Sequence, residues 1–432
     1  MTTKTTDELV AKGRAARAAS RGLARLSSRV KDRALLNIAD ALETEQARVL
    51  EVNQQDYRAG QGDGLGEAML DRLLLTPDRL RGIARDVRSV AALPDPVGET
   101  LDMTTMPNGL LVGKRRVPLG VVGSIYESRP NVTVDISVLC LKSGNACLLR
   151  GGKESLLSNT ALVDLIRRSI VDAGMPAEAV QFVDNPDRAL VDVMLGMKDY
   201  IDLLVPRGGA GLIRFVADHA AMPAVTGGIG VCHTYVDRSA DAGKAADIIF
   251  NAKVQRPTVC NALDTVLVHS EIAPQCLPRV AGELAAAGVE LHCDYRALSV
   301  LGPTPLAKGG PQGGKVVPAS EEDWGREFLS LTAAVRVVDS LDEALRHIET
   351  YGSGHSEAIV TEDYSAALRF LDEVDAAAVF VNASTRFTDG SQFGLGAEVG
   401  ISTQKFHARG PMGLRELTSY KWVIMGNGQV RD

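Results

Sequence analysis

One cysteine stands where this sequence could perform covalent chemistry. Residues 251–269 read NAKVQRPTVCNALDTVLVH, which predicts a helix end, a short turn and a strand, with Cys260 in the turn just before the strand. Side chains at such junctions can face a cleft, and catalytic residues are common there. A thiolate attacks acyl carbons readily, and the resulting thioester still accepts a second reagent, including hydride. The pattern would allow a two-step acyl reduction at Cys260, whereas a small buried hydrophobe is the more common role of such a cysteine.

The composition indicates an α/β enzyme with two large domains. The chain has 432 residues, which is more than a single hydrophobic core normally serves. Hydrophobic residues make up 45% and charged residues 23%, and the 42 glycines suit many tight turns. A net charge of -7 argues against general affinity for nucleic acid or an anionic membrane.

The cysteines and the hydropathy pattern point to a reducing compartment. Six cysteines are scattered without CxxC pairs or His-rich spacing, so the sequence predicts neither a metal site nor a disulfide framework. The first 20 residues lack the apolar core of a signal peptide, and no run approaches the ~18 apolar residues of a membrane span. We therefore expect a cytoplasmic protein.

The first 60 residues predict scaffold helices. An apolar stripe with helical spacing is formed by Leu35, Ile38, Ala39 and Leu42, while Arg33 and Asp40 lie off it. The glycine-rich stretch 60–66, GQGDGLG, predicts a surface loop, because no strand precedes it as a nucleotide-binding loop would require.

The middle of the chain predicts a parallel sheet covered by helices. Strand candidates are Ala146–Arg150, Val180–Val183 and Ile201–Val205, and helix candidates are Leu156–Ala173, Pro186–Met197 and Ala210–Ala217. Ligands bind at the carboxyl ends of such strands. Two turns there could approach phosphate through backbone N–H groups and cationic side chains: Arg150-Gly151-Gly152-Lys153 and Pro206-Arg207-Gly208-Gly209. Further upstream, residues 110–127 predict two strands that meet at a corner near Pro118.

Two stretches resemble a known family. The run 250–262, FNAKVQRPTVCNA, is similar to the nucleophile segment of the aldehyde dehydrogenase superfamily. The run 338–359, VDSLDEALRHIETYGSGHSEAI, is similar to the signature of that superfamily's branch that reduces L-glutamate 5-phosphate. The spacing is shared at Val338, Ala344, His347, Ile348, Tyr351, Gly352, Ser353, His355, Ser356, Glu357 and Ile359. We interpret His347, which lies among apolar residues at helical spacing, as a core histidine.

The resemblance implies an aldehyde dehydrogenase-like α/β fold. A Rossmann-type cofactor domain would comprise residues 1–101 and 120–228, and an α/β catalytic domain would comprise residues 229–412. A small β oligomerisation flap, formed by residues 102–119 and 413–432, would make the protein a homo-oligomer, either a dimer or a tetramer. An ordinary hairpin is the alternative for the flap strands.

The resemblance also implies a nicotinamide cofactor. Arg150 matches a lysine that contacts the adenosine ribose in relatives, and Glu327 matches the glutamate that holds the nicotinamide ribose. Lys153 lies where NAD-preferring relatives often carry a glutamate, and a cation there would favour the 2′-phosphate of NADP. A solvated lysine at a helix start is the alternative. Gly151, Arg207, Gly208 and Gly209 would complete the cofactor site.

The sequence departs from the superfamily pattern at two catalytic positions. The usual oxyanion asparagine is replaced at its register by Arg129, and Asn131 follows two residues later. Asn131 and the backbone N–H of Cys260 are both candidates for stabilising the oxyanion. The usual general-base glutamate is also missing, since Thr226 or Gly227 stands near its expected place.

Several cations could bind a substrate that carries a carboxylate and a phosphate. The candidates are Arg129, Arg256, Arg386, Lys405 and Arg409. Loop arginines that simply face solvent are the alternative.

The activity implied by the resemblance is NADPH-dependent reduction of L-glutamate 5-phosphate to L-glutamate 5-semialdehyde and phosphate, the second step of L-proline biosynthesis. Cys260 would form the thioester, and a glutamate 5-kinase would be a possible partner. Two alternatives are a hydrolytic aldehyde dehydrogenase, which the missing base disfavours, and a non-catalytic nucleotide-binding relative, which the retained Cys260 and Glu327 disfavour.

Overall fold

The computed structural model describes residues 3–225, 227, 229–302 and 315–431. The chain divides into two compact units. The first comprises Met1–Thr226, Gly394–Gly400 and Pro411–Asp432, and the second comprises Gly227–Phe393 and Ile401–Gly410. The main division lies close to the predicted boundary at 228, but residues 394–400 group with the first unit although the sequence suggested the catalytic domain.

The first unit begins with five helices. They are α1 (Thr3–Leu23), α2 (Ser28–Thr44), α3 (Gln46–Gly62), α4 (Glu67–Leu73) and α5 (Pro77–Ala92). The predicted apolar stripe of α2 is fully buried, whereas Arg33 and Asp40 are exposed. The loop prediction for residues 60–66 was wrong in its first half, because α3 continues to Gly62. Within the described ranges, no helix combines the length and hydropathy needed to cross a bilayer.

A four-stranded parallel sheet forms the centre of the first unit, in the order β5-β4-β3-β6. Its elements are β3 (Val121–Tyr126), α6 (Pro130–Lys142), β4 (Ala146–Arg150), α7 (Leu156–Asp172), β5 (Val180–Phe182), α8 (Ala189–Leu195), β6 (Leu203–Arg207) and α9 (Ala210–His219). Every residue of β3 and β4 is buried, as expected for strands covered on both faces. The strand predicted at Ile201–Val205 is shifted by two residues, so that Arg207 ends β6.

A separate antiparallel sheet contains β1 (Thr100–Thr105), β2 (Leu111–Pro118) and β16 (Thr418–Met425), in the order β1-β2-β16. The predicted corner near Pro118 is confirmed, because β2 ends there and β3 begins at Val121 in the other sheet. β16 pairs with β2 over its full length, from Thr418 opposite Pro118 to Met425 opposite Leu111. The sequence did not predict β1, whose residues TLDMTT are mostly polar and exposed or half-buried.

The second unit is built on a seven-stranded parallel sheet in the order β10-β9-β11-β8-β7-β12-β13. Its strands are β7 (Cys232–Val236), β8 (Leu263–His269), β9 (Glu290–Cys293), β10 (Val316–Pro318), β11 (Thr332–Val338), β12 (Ser356–Val360) and β13 (Ala378–Val381). Its helices are α10 (Ala242–Val254), α11 (Ala273–Ala286), α12 (Tyr295–Leu301), α13 (Leu341–Tyr351) and α14 (Tyr364–Glu373). The remaining short strands are β14 (Ile401–Ser402) and β15 (Gly410–Pro411).

The order of the second sheet decides which loops become neighbours. β7 and β8 pair side by side, with β11 beyond β8 and β12 beyond β7. In a parallel sheet the amino ends of neighbouring strands lie at the same edge. The residues just before β7, β8, β11 and β12 therefore meet at this amino edge, and Cys260 is one of them.

Candidate active site

The carboxyl edge of the first sheet brings three polar turns together. Ile125 of β3 pairs with Arg150 of β4, and Tyr126 pairs with Arg207 of β6. The turns that follow these strands therefore begin side by side. The predicted neighbourhood of Arg150-Gly151 and Arg207-Gly208-Gly209 is present within this unit.

The turn before α9 already holds an anion supplied by the chain itself. Oε2 of Glu127 accepts a hydrogen bond from the backbone N–H of Gly209 at 3.0 Å. A methyl group at Gly208 would lie only 2.5 Å from the same Oε2, so glycine is needed for this approach. Gly209 is the N-cap of α9, and helix N-termini favour negative charge. The N-terminus of α9 therefore binds an anion, which in this structure is the carboxylate of Glu127.

The two cations predicted for the adenosine end differ in environment. Arg150 is buried, and its Nη2 donates to the carbonyl oxygen of Pro186 at 3.2 Å. Its Nε has no hydrogen-bond partner among the described residues, and burial lowers the pKa of its guanidinium. Lys153 is exposed, with its Nζ 3.7 Å from Oδ2 of Asp63. Gly151 is buried between them.

The turn that contains Arg129 is fixed by Glu154. Oε1 of Glu154 accepts from both the backbone N–H of Ser128, at 2.7 Å, and its hydroxyl, at 2.6 Å. Ser128 has a φ of 42°, a left-handed conformation that is uncommon outside glycine and marks a constrained turn. Arg129 follows as the half-buried N-cap residue of α6.

Asn131 lies in the first turn of α6 and is engaged locally. Its Nδ2 donates to Oδ2 of Asp135 at 3.0 Å. Burial raises the pKa of Asp135 to about 7, although the bond from Asn131 and the positive charge of Arg207 oppose this rise. Asn131 remains a candidate oxyanion residue, because its NH₂ group has a second N–H besides the one that binds Asp135.

Cys260 lies in the predicted turn of the second unit, between α10 and β8. Its side chain is half-buried, whereas the other five cysteines are buried, and no disulfide joins any of the six, each of which lies in a described range. Gly230 packs directly on the backbone of this turn. A methyl group at Gly230 would lie 1.5 Å from the carbonyl oxygen of Cys260 and 2.8 Å from its Cα.

Gly230 also connects the thiol turn to the predicted ribose ligand. The backbone N–H of Gly230 donates to Oε1 of Glu327 at 2.9 Å. Burial raises the pKa of Glu327, and this hydrogen bond counteracts the rise. Cys260 and Glu327, which are 67 residues apart in sequence, are therefore held beside one glycine.

Two of the predicted substrate arginines lie at the same turn. Nε of Arg386 donates to Oε1 of Gln255 at 2.8 Å, and Nη1 of Arg386 bonds to Oδ1 of Asn261, the residue after Cys260. Burial, followed by the positive charge of Arg256, lowers the pKa of Arg386, while the thiol of Cys260 acts in the opposite sense. Arg386, with Arg256 close enough to affect its pKa, thus places positive charge at the thiol turn.

Lys405 and Arg409 are engaged with a different carboxylate. Both side chains bind Asp375, with Lys405 Nζ 2.5 Å from Oδ2 and Arg409 Nη1 2.7 Å from Oδ1. These two hydrogen bonds lower the pKa of Asp375. In a substrate-binding role, each cation would use N–H donors that do not face Asp375, since a lysine has three donors and an arginine five.

The signature stretch 338–359 is largely structural. His347 is buried, and burial lowers its pKa to about 3, so it is neutral near pH 7, as expected for a core histidine. His355 is fully buried, with its pKa lowered to about 4 for the same reason. The hydroxyl of Ser353 accepts from the backbone N–H of Val231 at 2.9 Å. Ser353 of the signature therefore holds the backbone of Val231, the residue that follows Gly230.

Three features of this site were not foreseen in the sequence. They are the close approach of Gly230, the carboxylate of Glu127 at α9, and a buried aspartate, Asp264, beside the thiol turn. The glycine run at 227–230 is a signal for the first, because repeated glycines often mark close backbone contact. Of the two residues near the expected place of the missing base, Thr226 lies outside the described residues, and Gly227 has no side chain that could act as a base.

The chain is similar to known proteins over nearly its full length. Residues 1–300 match the model of the aldehyde dehydrogenase family. The gamma-glutamyl phosphate reductase of Dehalococcoides mccartyi (strain CBDB1) is 60% identical over 424 residues, which cover 98% of each chain. The enzyme of that name from Escherichia coli O139:H28 is 54% identical over 97% of this chain and 99% of its own.

A solved structure extends the similarity to the fold. The crystal structure of gamma-glutamyl phosphate reductase from Thermotoga maritima superposes with a TM-score of 0.93 at 46% identity, covering 98% of this chain and 100% of that one. The chain therefore belongs to the aldehyde dehydrogenase family. Within that family, its full-length similarity is to the gamma-glutamyl phosphate reductases.

Proposed function

We propose that the protein catalyses NADPH-dependent reduction of L-glutamate 5-phosphate to L-glutamate 5-semialdehyde and phosphate, the second step of L-proline biosynthesis. The observation that carries the proposal is the convergence of Cys260, Gly230 and Glu327 at one edge of the second sheet. This edge belongs to a chain 60% identical to a gamma-glutamyl phosphate reductase over nearly its full length.

Cys260 performs the covalent step in this proposal. Its thiolate attacks the carbonyl carbon of the acyl phosphate. A C–S bond forms, the C–O bond to phosphate breaks, and inorganic phosphate leaves with the bonding electron pair. The product of this step is a thioester on Cys260.

The thioester is then reduced. NADPH, when bound, supplies the hydride that adds to the thioester carbonyl carbon. The resulting thiohemiacetal oxyanion needs hydrogen-bond donors, for which the backbone N–H of Cys260 and the amide of Asn131 are the candidates. Collapse of the oxyanion breaks the C–S bond, which releases the aldehyde and regenerates the thiolate of Cys260.

The residues of the first unit fit the anionic part of a dinucleotide. The N–H of Gly209 already binds a carboxylate oxygen, so a phosphate oxygen could take the place of Glu127 there. The unpartnered Nε of Arg150 and the exposed ammonium of Lys153 are donors for the adenosine ribose and its 2′-phosphate. Arg207 at the end of β6 adds positive charge, and Glu327 would hold the nicotinamide ribose.

We also propose a homo-oligomer that uses β16. This strand lies at the edge of its three-stranded sheet, and Tyr420, Trp422 and Ile424 are exposed along it. Unpaired edges with apolar side chains tend to pair with another chain. Trp422→Glu should therefore lower the molar mass in solution, measured by light scattering, relative to wild type. An unchanged mass would contradict the use of this strand.

Two further proposals concern the compartment in which the enzyme works and the source of its substrate. A reducing cytoplasm suits a mechanism that needs the Cys260 thiolate. A glutamate 5-kinase is the expected source of the acyl phosphate, because its product is the substrate proposed here.

The direct test is an NADPH oxidation assay with L-glutamate 5-phosphate generated in place by a glutamate kinase and ATP. Wild type should consume NADPH and form glutamate 5-semialdehyde, and omission of the kinase should stop the reaction. A wild-type protein that is folded but inactive under these conditions would refute the proposed function.

A further inference from the structure

A buried carboxylate links all the segments that surround the thiol turn. Asp264 is the second residue of β8 and is almost fully buried. Its Oδ1 accepts from the backbone N–H of Phe328 at 3.0 Å, and its Oδ2 accepts from the backbone N–H of Cys232 at 3.4 Å. Phe328 is the residue after Glu327, and Cys232 is the first residue of β7.

The bonds close a ring around Cys260. From Asp264 the ring passes through Phe328 to Glu327, whose Oε1 accepts from Gly230, and Gly230 lies against the backbone of Cys260. A second connection runs from Asp264 to Cys232, whose thiol donates to the carbonyl oxygen of Cys260 at 3.2 Å. One carboxylate thereby fixes both segments that contact the thiol turn.

A bulge between β7 and β8 determines where the side chain of Asp264 lies. Cys232 pairs with Leu263 and His233 pairs with Thr265, so Asp264 is the additional residue of a bulge between β7 and β8. Bulges redirect a side chain and are frequent beside active sites. Without the bulge, Asp264 would occupy an ordinary position in the ladder.

A buried lysine supplies the counter-charge. Lys253, at the end of α10, is fully buried, and its Nζ donates to the carbonyl oxygen of Leu263 at 2.7 Å. The same Nζ lies 3.8 Å from Oδ1 of Asp264. Burial lowers the pKa of Lys253 and raises that of Asp264 to about 6, so each charge favours the ionised form of the other against burial.

Stability alone is a poor reason for such a pair. Taking two charges out of water has a large desolvation cost, and apolar replacements of similar volume are often neutral or stabilising. The pair is better explained by the geometry that it imposes on its neighbours. An ionised carboxylate can accept two N–H groups at once, whereas an asparagine would turn its NH₂ group towards one of them.

We propose that Asp264, kept ionised by Lys253, is a positioning residue. It would hold Cys260 and Glu327 in the relative positions that the reaction needs. Neither Asp264 nor Lys253 touches substrate in this proposal, and both act through Phe328, Cys232 and Gly230. The inference rests on the proposed function, because it assigns Glu327 to the cofactor and Cys260 to the thioester.

The test compares Asp264→Asn with Asp294→Asn. Asp294 is a matched control, because it lies in the same unit and accepts from two backbone N–H groups, those of Ala297 at 2.7 Å and Val337 at 3.2 Å. Asp264→Asn should lower kcat by about 10- to 100-fold and raise the KM for NADPH about tenfold, because small displacements of reacting groups are costly. Asp294→Asn should lower Tm without changing either constant more than twofold.

The double variant Lys253→Met/Asp264→Asn separates positioning from folding. In Asp264→Asn alone, Lys253 is a buried cation that has lost its counter-charge. Its replacement by methionine should return Tm towards the wild-type value, while kcat should stay low. Recovery of kcat together with Tm would overturn the proposal, and so would equal losses of kcat in Asp264→Asn and Asp294→Asn.

An assay of thiol reactivity keeps this test independent of the substrate. The other five cysteines are buried, so iodoacetamide should alkylate Cys260 first. Its alkylation should be at least threefold faster in Asp264→Asn, because the turn loses its support, and unchanged in Asp294→Asn. A wild-type protein inactive with the acyl phosphate refutes the proposed function, whereas equal alkylation rates in all variants refute the positioning role.

Discussion

The contact between Gly230 and Cys260 makes Gly230→Ala a demanding test of the site. The added methyl group would lie 1.5 Å from the carbonyl oxygen of Cys260, whereas an ordinary contact begins at 3.4 Å. The two backbones would therefore have to separate by about 1.9 Å. Both neighbours are main-chain atoms, so no side-chain rotation can relieve the overlap.

The separation can occur in two ways, and each one affects catalysis. If the thiol turn moves, Cys260 leaves its position, and a displacement of about 1 Å costs roughly 100-fold in rate, or about 2.7 kcal/mol. If Gly230 moves instead, its N–H leaves Glu327, and the KM for NADPH should rise. We therefore expect kcat/KM to fall by at least 100-fold.

Steady-state NADPH oxidation measures both constants, and circular dichroism verifies that the variant is folded. Gly282→Ala is the matched control, because Gly282 lies in α11 of the same unit with no atom within 4 Å of an added methyl group. Alanine there should retain full activity and stabilise the protein by about 0.5–1 kcal/mol. A folded Gly230→Ala with kcat/KM within threefold of wild type would refute the proposed packing.

Three further predictions concern the thiol, the cofactor and the acceptor. Cys260→Ala should abolish reduction while fluorescence titration shows unchanged NADPH affinity, and Cys276→Ala, a buried control, should stay active; turnover in Cys260→Ala would exclude the thioester. Lys153→Glu should weaken use of NADPH relative to NADH by about 1 to 3 kcal/mol in the ratio of kcat/KM values, unlike the exposed control Lys198→Glu; an unchanged ratio would assign Lys153 to solvent. Oxidation of glutamate 5-semialdehyde by NADP⁺ should require inorganic phosphate, because residues 224–231 contain no carboxylate to activate water; equal rates without phosphate, with glutamate accumulating, would support the hydrolytic alternative.

Local patterns in the sequence were enough to predict the central strands and helices of the first unit and the turn that carries Cys260. The turn that carries Cys260 was predicted because a β-branched run follows a helical segment, and the helix–strand alternation around Arg150 gave β4 and α7 almost to the residue. β1 was missed because four of its six residues are polar and exposed, which leaves only Leu101 and Met103 to indicate a strand.

Contacts between distant residues could not be predicted in the same way. Gly230 and Cys260 are 30 residues apart, and their approach depends on β7 and β8 becoming neighbours in the sheet. The bulge that directs Asp264 towards Cys232 and Phe328 is also a property of that pairing. The sequence gives the types of these residues but not the register that brings them together.

The pairing of β16 with β2 has a consequence for synthesis on the ribosome. Residues 111–118 emerge about 300 residues before their partner strand, 418–425, so β2 must wait with one edge unpaired while those residues are synthesised. The second unit, which is nearly continuous in sequence, can complete its core during this interval. A nascent chain stalled before residue 418 would expose the β2 edge to other strands, which makes this edge an expected binding site for a chaperone during translation.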